Sequence, residues 1–346
     1  MNENQNEPTP LNDLGEFGLI ERLSQNIKLR NKSTVIGVGD DAALIQQDNQ
    51  LTVVSTDLLV EGVHFDLLYT PLKHLGYKAV IVNLSDIYAM NAIPEQITVS
   101  VAVSNRMSVE ALEEIYEGIN LACELYKVDL VGGDTTSSLS GTMFSITAIG
   151  KVSEGKEVKR SGAQENDLIC VSGDLGAAFA GLQILEREKS VFNDNEKIQP
   201  DFSGKDYILE RQLKPEARKE LIEYFAKEEI LPSAMIDISD GLSSELIHIA
   251  KASGVGIQIY EDKIPIDPTT VSTCDELNLN PTLAALNGGE DYELLFTIPL
   301  DFHDKIKETP GITIIGHVTD KNSGNFMVAK GTESMVELTA QGWEHK

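Results

Sequence analysis

Apolar and polar positions along this chain change rhythm repeatedly, between a period of two and a period near 3.6. Ile97, Val99, Val101 and Val103 alternate with polar neighbours across 96–104, which predicts a half-buried antiparallel strand. Directly after it, Leu112, Ile115, Tyr116, Ile119 and Ala122 fall on one helical face behind a capping residue, Ser108. Short apolar runs at 35–38, 51–54, 128–131, 142–149, 168–171, 234–238, 257–260, 295–298 and 312–315 predict further strands. Residues 71–92 carry a long helical pattern that is apolar almost all round, so this helix is expected to be buried. Another helix is expected after the turn at 173–176, and one after Gly241 with Leu242, Leu246, Ile249 and Ala250 on a common face. Phe17, Ile20 and Leu23 suit a short amphipathic helix over 16–23. Residues 186–207 are acidic and aperiodic and are expected to form a surface excursion, and 1–12 a disordered leader.

Strands interleave with helices in two stretches, separated by the polar segment 151–166. The expected architecture is therefore a two-domain α/β (α+β) chain, with a first domain over 13–150 and a second over 151–346. The length of 346 residues favours the same division. Composition changes the picture in one respect. With 28 basic and 55 acidic residues the formal charge is −27, which disfavours nucleic acid and anionic membranes as partners. Cys123, Cys170 and Cys274 lack metal-ligand spacing and read as buried thiols. The N-terminus is polar and no apolar run approaches ~18 residues, so a cytoplasmic protein is expected.

The candidate chemistry lies in carboxylates that stand where a charge has no cheap place to be. Asp40 and Asp41 follow a strand in 37–41, and Asp57 closes Ser55-Thr56-Asp57. Asp134 follows Gly132-Gly133, and Asp237 and Asp240 flank Ile238-Ser239. Asp86 is embedded in the apolar helix. A charge in such a setting must be paired or must coordinate a metal. Hard cations such as Mg²⁺ take oxygen ligands and bridge carboxylates to phosphates, so the set points to magnesium-dependent phosphate chemistry. Asp237 and Asp240 are spaced to converge on one cation, and Gly241 opens a helix whose N–H groups suit an anion. Each motif alone has a plainer reading: a solvated turn for Asp40-Asp41, a core histidine for His64, a tail anchor for Trp343. No phosphate-binding loop of the Walker type, kinase signature or hydrolytic triad is present.

The motifs 37–41, 55–65, 83–86, 132–136, 236–241 and 288–293, in that order, resemble the thiamine-monophosphate kinase family. Its superfamily also holds aminoimidazole ribonucleotide synthetase and selenophosphate synthetase. The resemblance covers roughly 14–346. It implies an N-terminal ATP- and Mg-binding domain whose mixed sheet closes a barrel across a homodimer, and a C-terminal α+β domain with substrate-binding elements. The implied reaction is transfer of a phosphoryl group from ATP to thiamine monophosphate, giving thiamine diphosphate. By position, Asp41, Ser55, Thr56, Asp57, Asp86, Asp134, Asp237 and Asp240 would hold several Mg²⁺ ions, with Asp40 matching the motif as well as Asp41. Tyr116, Gly133, Asp134, Arg160 and Ser239 would contact ATP, and His64, Glu290 and Trp343 the thiamine substrate. No covalent nucleophile or general base is implied, because the acceptor is already a phosphate monoester, largely dianionic at pH 7 with a second pKa of ~6.

Departures from the family pattern are modest: Asn91 stands where glycine is usual, and Leu58 where threonine is common. Selenophosphate synthetase would need a reactive cysteine in an N-terminal glycine-rich segment, and the first cysteine here is Cys123. The remaining alternatives are an aminoimidazole ribonucleotide synthetase-like ligase and a non-catalytic nucleotide- or metal-binding relative.

Overall fold

A computed structural model describes residues 20, 24, 29–104, 106–194, 201–332 and 334–340. The predicted leader, all but isolated residues of the 16–23 helix, and the segment with Trp343 lie outside the described residues. Two sheets organise the rest. The first has six strands in the order β1-β2-β3-β6-β4-β5. These are β1 (Thr34–Ile36), β2 (Ala43–Gln47), β3 (Gln50–Val60), β4 (Ile93–Ser104), β5 (Asp129–Ser138) and β6 (Met143–Ser153). Neighbours are antiparallel except the parallel pair β4 and β5. The sheet is open in the single chain, with β1 and β5 at its edges.

One face of this sheet is covered by α1 (Leu72–Ala89), with α2 (Val109–Tyr126) packed on α1. As its composition requires, α1 is buried nearly throughout, from Leu75 to Ala89. Ser108 caps α2 as expected, its side chain accepting from the Ala111 N–H. Two glycines let these helices cross in close contact. A Cβ on Gly118 would sit 1.9 Å from the Lys73 carbonyl oxygen, and one on Gly76 1.9 Å from that of Ile115. Backbone atoms cannot rotate out of the way, so Gly118→Ala must push the helices apart. The expected cost is about 1–3 kcal/mol or more, read as a lower urea midpoint at unchanged slope.

The second sheet has seven strands in the order β13-β12-β9-β11-β7-β10-β8. Its strands are β7 (Leu168–Ser172), β8 (Ala234–Asp237), β9 (Gly256–Tyr260), β10 (Leu294–Ile298), β11 (Ile312–Thr319), β12 (Asn325–Val328) and β13 (Met335–Glu337). Helices α3 (Ala177–Asp194), α4 (Asp206–Leu213), α5 (Lys219–Lys227), α6 (Leu242–Ser253), α7 (Pro268–Glu276), α8 (Pro281–Asn287) and α9 (His303–Ile306) accompany it. Both sheets are mixed, so the fold is a two-sheet α+β arrangement. One apolar cluster joins the halves: Tyr88 and Tyr126 belong to the same core as Phe225 and Phe296. The three cysteines are free and buried. Among the described residues no helix is long and apolar enough to cross a membrane.

Three expectations are corrected. Residues 186–194 are the end of α3 and 206–213 form α4, so 186–207 is helical at both ends rather than aperiodic, and only 201–205 among its described residues is irregular and largely exposed. The pattern was masked because Glu188 occupies a core-facing position after Ile184 and Leu185, buried while accepting from Arg187. The strand expected to end at 131 runs on to Ser138, so Gly132-Gly133-Asp134 lies within β5. Ser55-Thr56-Asp57 likewise lies inside β3, which continues to Val60. Both strands outlast their apolar stretches because ladder pairing, not side-chain burial, carries them onward.

Candidate functional site

Asp86 emerges from α1 at the seam between the two sheets. Lys78, Val82 and Asp86 are spaced by four, share one helical face and line a cavity of about 640 Å³. That volume lies within the ~300–1,000 Å³ usual for small-molecule sites. The turn after β1 brings Asp41, and the end of β8 brings Asp237. Carboxylate oxygens of Asp41, Asp86 and Asp237 all lie within 4.8 Å of one another. Three elements distant in sequence thus converge on one point.

The surrounding side chains hold these carboxylates in place. Ser55 Oγ donates to Asp86 Oδ2. Ser85 Oγ donates to Asp237 Oδ2 at 2.6 Å. The Arg160 guanidinium donates twice to Asp41 Oδ1, from Nη2 at 2.7 Å and Nε at 3.2 Å. Asp41 Oδ2 is buried without a hydrogen-bond partner among the described residues. An orphaned oxygen facing two more carboxylates is the donor set a hard divalent cation requires.

Burial dominates the electrostatics. It pushes Asp41 up to about 7, outweighing the opposing Arg160, with Asp237 and Asp40 adding repulsion. Asp237 is pushed up to about 6 by burial, against the Ser85 hydrogen bond, with Asp57 adding repulsion. Burial alone takes Asp57 to about 6. Asp86 is raised well above its ordinary value, first by burial and then by Asp57, Asp237 and Asp41. Raised folded-state values mean that the unfolded chain ionises first as pH rises above about 4. In chelator, stability should therefore fall as pH climbs from about 4 to above 7, as thermal melts across that range would record. A melting temperature that rose over that window would contradict it.

Trp343 apart, which lies outside the described residues, each sequence-predicted residue has a definite place. Asp41, Ser55, Thr56, Asp57, His64, Asp86, Arg160, Asp237, Ser239, Asp240 and Glu290 line the cavity. Ser55 and Asp57 face α1, and the Asp57 N–H donates to Asn83 Oδ1 at 3.0 Å. Thr56 turns to the other face of β3, where its hydroxyl donates to the Ile146 carbonyl oxygen at 3.0 Å. Asp40 turns away from the cluster and accepts from the Arg160 backbone N–H at 3.2 Å. His64 Nδ1 accepts the Val60 N–H at 3.0 Å, which leaves the proton of a neutral imidazole on Nε2. Glu290 is held by Lys78 at 3.1 Å and by Gln212 Nε2 at 2.7 Å.

Gly133, Asp134 and Tyr116 are not brought to this cavity. Tyr116 lies half-buried on α2, and Gly133 and Asp134 lie on the exposed edge strand β5. Asp57 pairs with Ile146, Ile146 with Val99 and Val99 with Gly133, so three strand spacings intervene. At ~4.8 Å each, that is roughly 14 Å. Gly133 also has a local reason to be glycine: a Cβ there would lie 1.8 Å from the Val99 carbonyl oxygen.

Among the cavity residues that sequence reasoning missed, two stand beside the acidic motifs. Lys78 is a buried cation in the apolar helix, legible as a lysine eight residues before Asp86. Glu245, in the first turn of α6, is buried and accepts the Asp240 N–H at 3.0 Å, and burial together with Asp240 raises its pKa. Its signal was its place five residues after Asp240. Within the 288–293 motif Gly288 and Tyr292 also line the cavity, while Asp291 and Glu293 are architectural. Glu293 accepts from Ser172, Arg211 and Arg218, and Asp291 accepts the Gly176 N–H at 2.9 Å.

Residues 39–152 match the family described as AIR synthase related protein, N-terminal domain, and 164–329 its C-terminal domain. The chain is 35% identical to the thiamine-monophosphate kinase of Bacillus subtilis over 341 residues, covering 96% of this chain and 99% of that one. The enzyme of the same name from Aquifex aeolicus is 34% identical over 335 residues, at 97% and 99% coverage. A solved structure of AaThiL complexed with AMPPCP and TMP superposes with a TM-score of 0.80 at 32% identity, covering 98% and 99% of the two chains.

Proposed function

This chain belongs to the thiamine-monophosphate kinase family, and on that premise we infer that it transfers a phosphoryl group from ATP to thiamine monophosphate, forming thiamine diphosphate and ADP. The observation that carries the reading is the convergence of Asp41, Asp86 and Asp237 in one cavity of a chain so closely related to these kinases. The relative's complex with AMPPCP and TMP supports the same pair of substrates.

Asp41, Asp57, Asp86, Asp237 and Asp240, with Ser55 and Thr56 beside them, would hold Mg²⁺. Bound there, Mg²⁺ supplies neutralising charge between two polyanionic substrates that otherwise repel. The chain's own work is positioning. Ser55, Ser85 and Arg160 fix the carboxylates, and Arg160 and Ser239 present donors to the nucleotide phosphates. His64 offers Nε2–H and Glu290 a carboxylate to the thiamine substrate, with Trp343 as a stacking partner for its cationic ring. No side chain needs to remove a proton, since the acceptor phosphate reacts as its dianion.

We assign the domains to 13–150 and 151–346, in a cytoplasmic protein. We also infer a homodimer. β5 leaves every residue from Asp129 to Ser137 exposed, including Leu130 and Val131, an edge that proteins normally cover. A second copy closing the sheet into a barrel would cover it, and would let Gly133 and Asp134 reach a partner's nucleotide rather than their own. Light scattering should then give twice the chain mass. The activity is tested by coupled ADP release with Mg²⁺-ATP and, in parallel, thiamine monophosphate, free thiamine and formylglycinamidine ribonucleotide. Turnover only with thiamine monophosphate is expected. Activity on the purine precursor would make the chain a ligase of the aminoimidazole ribonucleotide synthetase type.

A further inference from the structure

Part of the cavity wall is built from side chains that no acidic motif supplies. The loop after β3 contributes Asp66 and Tyr69, and the last turns of α3 contribute Glu186 and Lys189. These four are tied together across the two halves of the chain. Tyr69 Oη donates to Glu186 Oε1 at 2.8 Å. Lys189 Nζ lies 2.8 Å from Asp66 Oδ2 and 3.2 Å from Glu186 Oε2. The same ammonium stands 5.7 Å from the centroid of the Tyr69 ring. An aromatic face and two carboxylates are thus gathered around one small cation, all inside the substrate cavity.

That arrangement is what a fixed organic cation needs. A thiazolium cannot shed its charge when it leaves water, so its desolvation must be offset by anionic groups and a π-face. The other lysine lining the cavity, Lys78, is already engaged by Glu290 and by the Gln212 carbonyl oxygen. Lys189 is different. Its side chain is 28% exposed, as is that of Asp66, so their ion pair is partly solvated and readily opened. Its long flexible stem can carry the ammonium out of the cavity.

We propose that Asp66, Tyr69 and Glu186 form the wall that recognises the cationic ring of the substrate, with the Lys189 ammonium as a stand-in that the ring displaces. The proposal rests on the thiamine-monophosphate kinase reading above and adds specificity-determining residues to it. It also gives α3 a role in the substrate site.

Two charge changes in one ion pair then act in opposite directions. Lys189→Met removes the competing cation and should lower KM for thiamine monophosphate roughly fivefold. Glu186→Gln keeps an acceptor for Tyr69 but removes a charge, and should raise that KM roughly fivefold. Both effects should shrink for an analogue whose thiazolium is replaced by an uncharged ring, and neither should move KM for ATP. Steady-state kinetics on both substrates with both variants makes the test. If the contacts of Lys189 with Asp66 and of Glu186 with Tyr69 are only a latch between the two halves, both variants shift KM the same way and equally for the charged and uncharged substrates, which overturns the proposal. Absence of turnover by the unaltered protein would instead overturn the functional reading on which it rests.

Discussion

Asp86→Asn is expected to cut turnover of thiamine monophosphate by ~10³-fold or more, the scale on which loss of a central electrostatic group in a water-poor site is felt. It should leave the fold intact. Asparagine matches aspartate in shape, and its carbonyl oxygen can still accept the Ser55 hydroxyl that now reaches Asp86 Oδ2. What disappears is one negative charge from a site where Asp57, Asp237 and Asp41 already repel it. In the presence of chelator the variant should therefore melt at the same temperature as the parent or higher. Few active-site changes predict lost function with gained stability, so the two readouts belong together. A variant that kept a tenth of parental turnover would remove Asp86 from the metal site. One that melted well below the parent would show that Asp86 serves the fold instead.

Withdrawal of divalent cations should have an effect of similar size. EDTA is expected to bring turnover to background, because neither the chain nor the substrates then neutralise the facing phosphates. The ion-free protein should also be less stable. A ligand present at a hundred times its dissociation constant contributes ~2.7 kcal/mol, which for domains of this size corresponds to roughly 5–10 °C in melting temperature. Titrating Mg²⁺ into the stripped protein during thermal melts measures this directly. Asp86→Asn should blunt the shift, since it lacks one of the three converging carboxylates. Equal melting temperatures with and without Mg²⁺ would mean that the orphaned Asp41 Oδ2 waits for something other than a cation.

Much of this site was legible in sequence because a charge in an apolar context is costly wherever it occurs. Asp86 could be singled out from its neighbours Leu84 and Ile87 alone, and the structure sets its carboxylate beside those of Asp41 and Asp237. The helix carrying it, the Ser108 cap and the alternation at 96–104 rest on local periodicity, which a one-dimensional pattern preserves. The failures had two causes. β3 and β5 run beyond their apolar stretches because neighbouring strands supply hydrogen bonds that no local pattern announces. α3 went unread past 186 because a buried glutamate, Glu188, interrupts its stripe.

What the sequence carried by itself was residue type and motif order: carboxylates set in apolar stretches, the donor type that suits a hard cation, and the ordered motifs of one kinase family. Only the tertiary structure decided which carboxylates meet. Asp41, Asp86 and Asp237 are joined by chain closure over long separations, and spacing along the chain carries no information about such contacts. It also decided that Asp134 stands three strands away from Asp57 in its own chain, and that α3 sets Glu186 and Lys189 against Tyr69. Residue type sets what a side chain can do. Where it does it depends on packing between distant segments, and packing is settled only when the whole chain has folded.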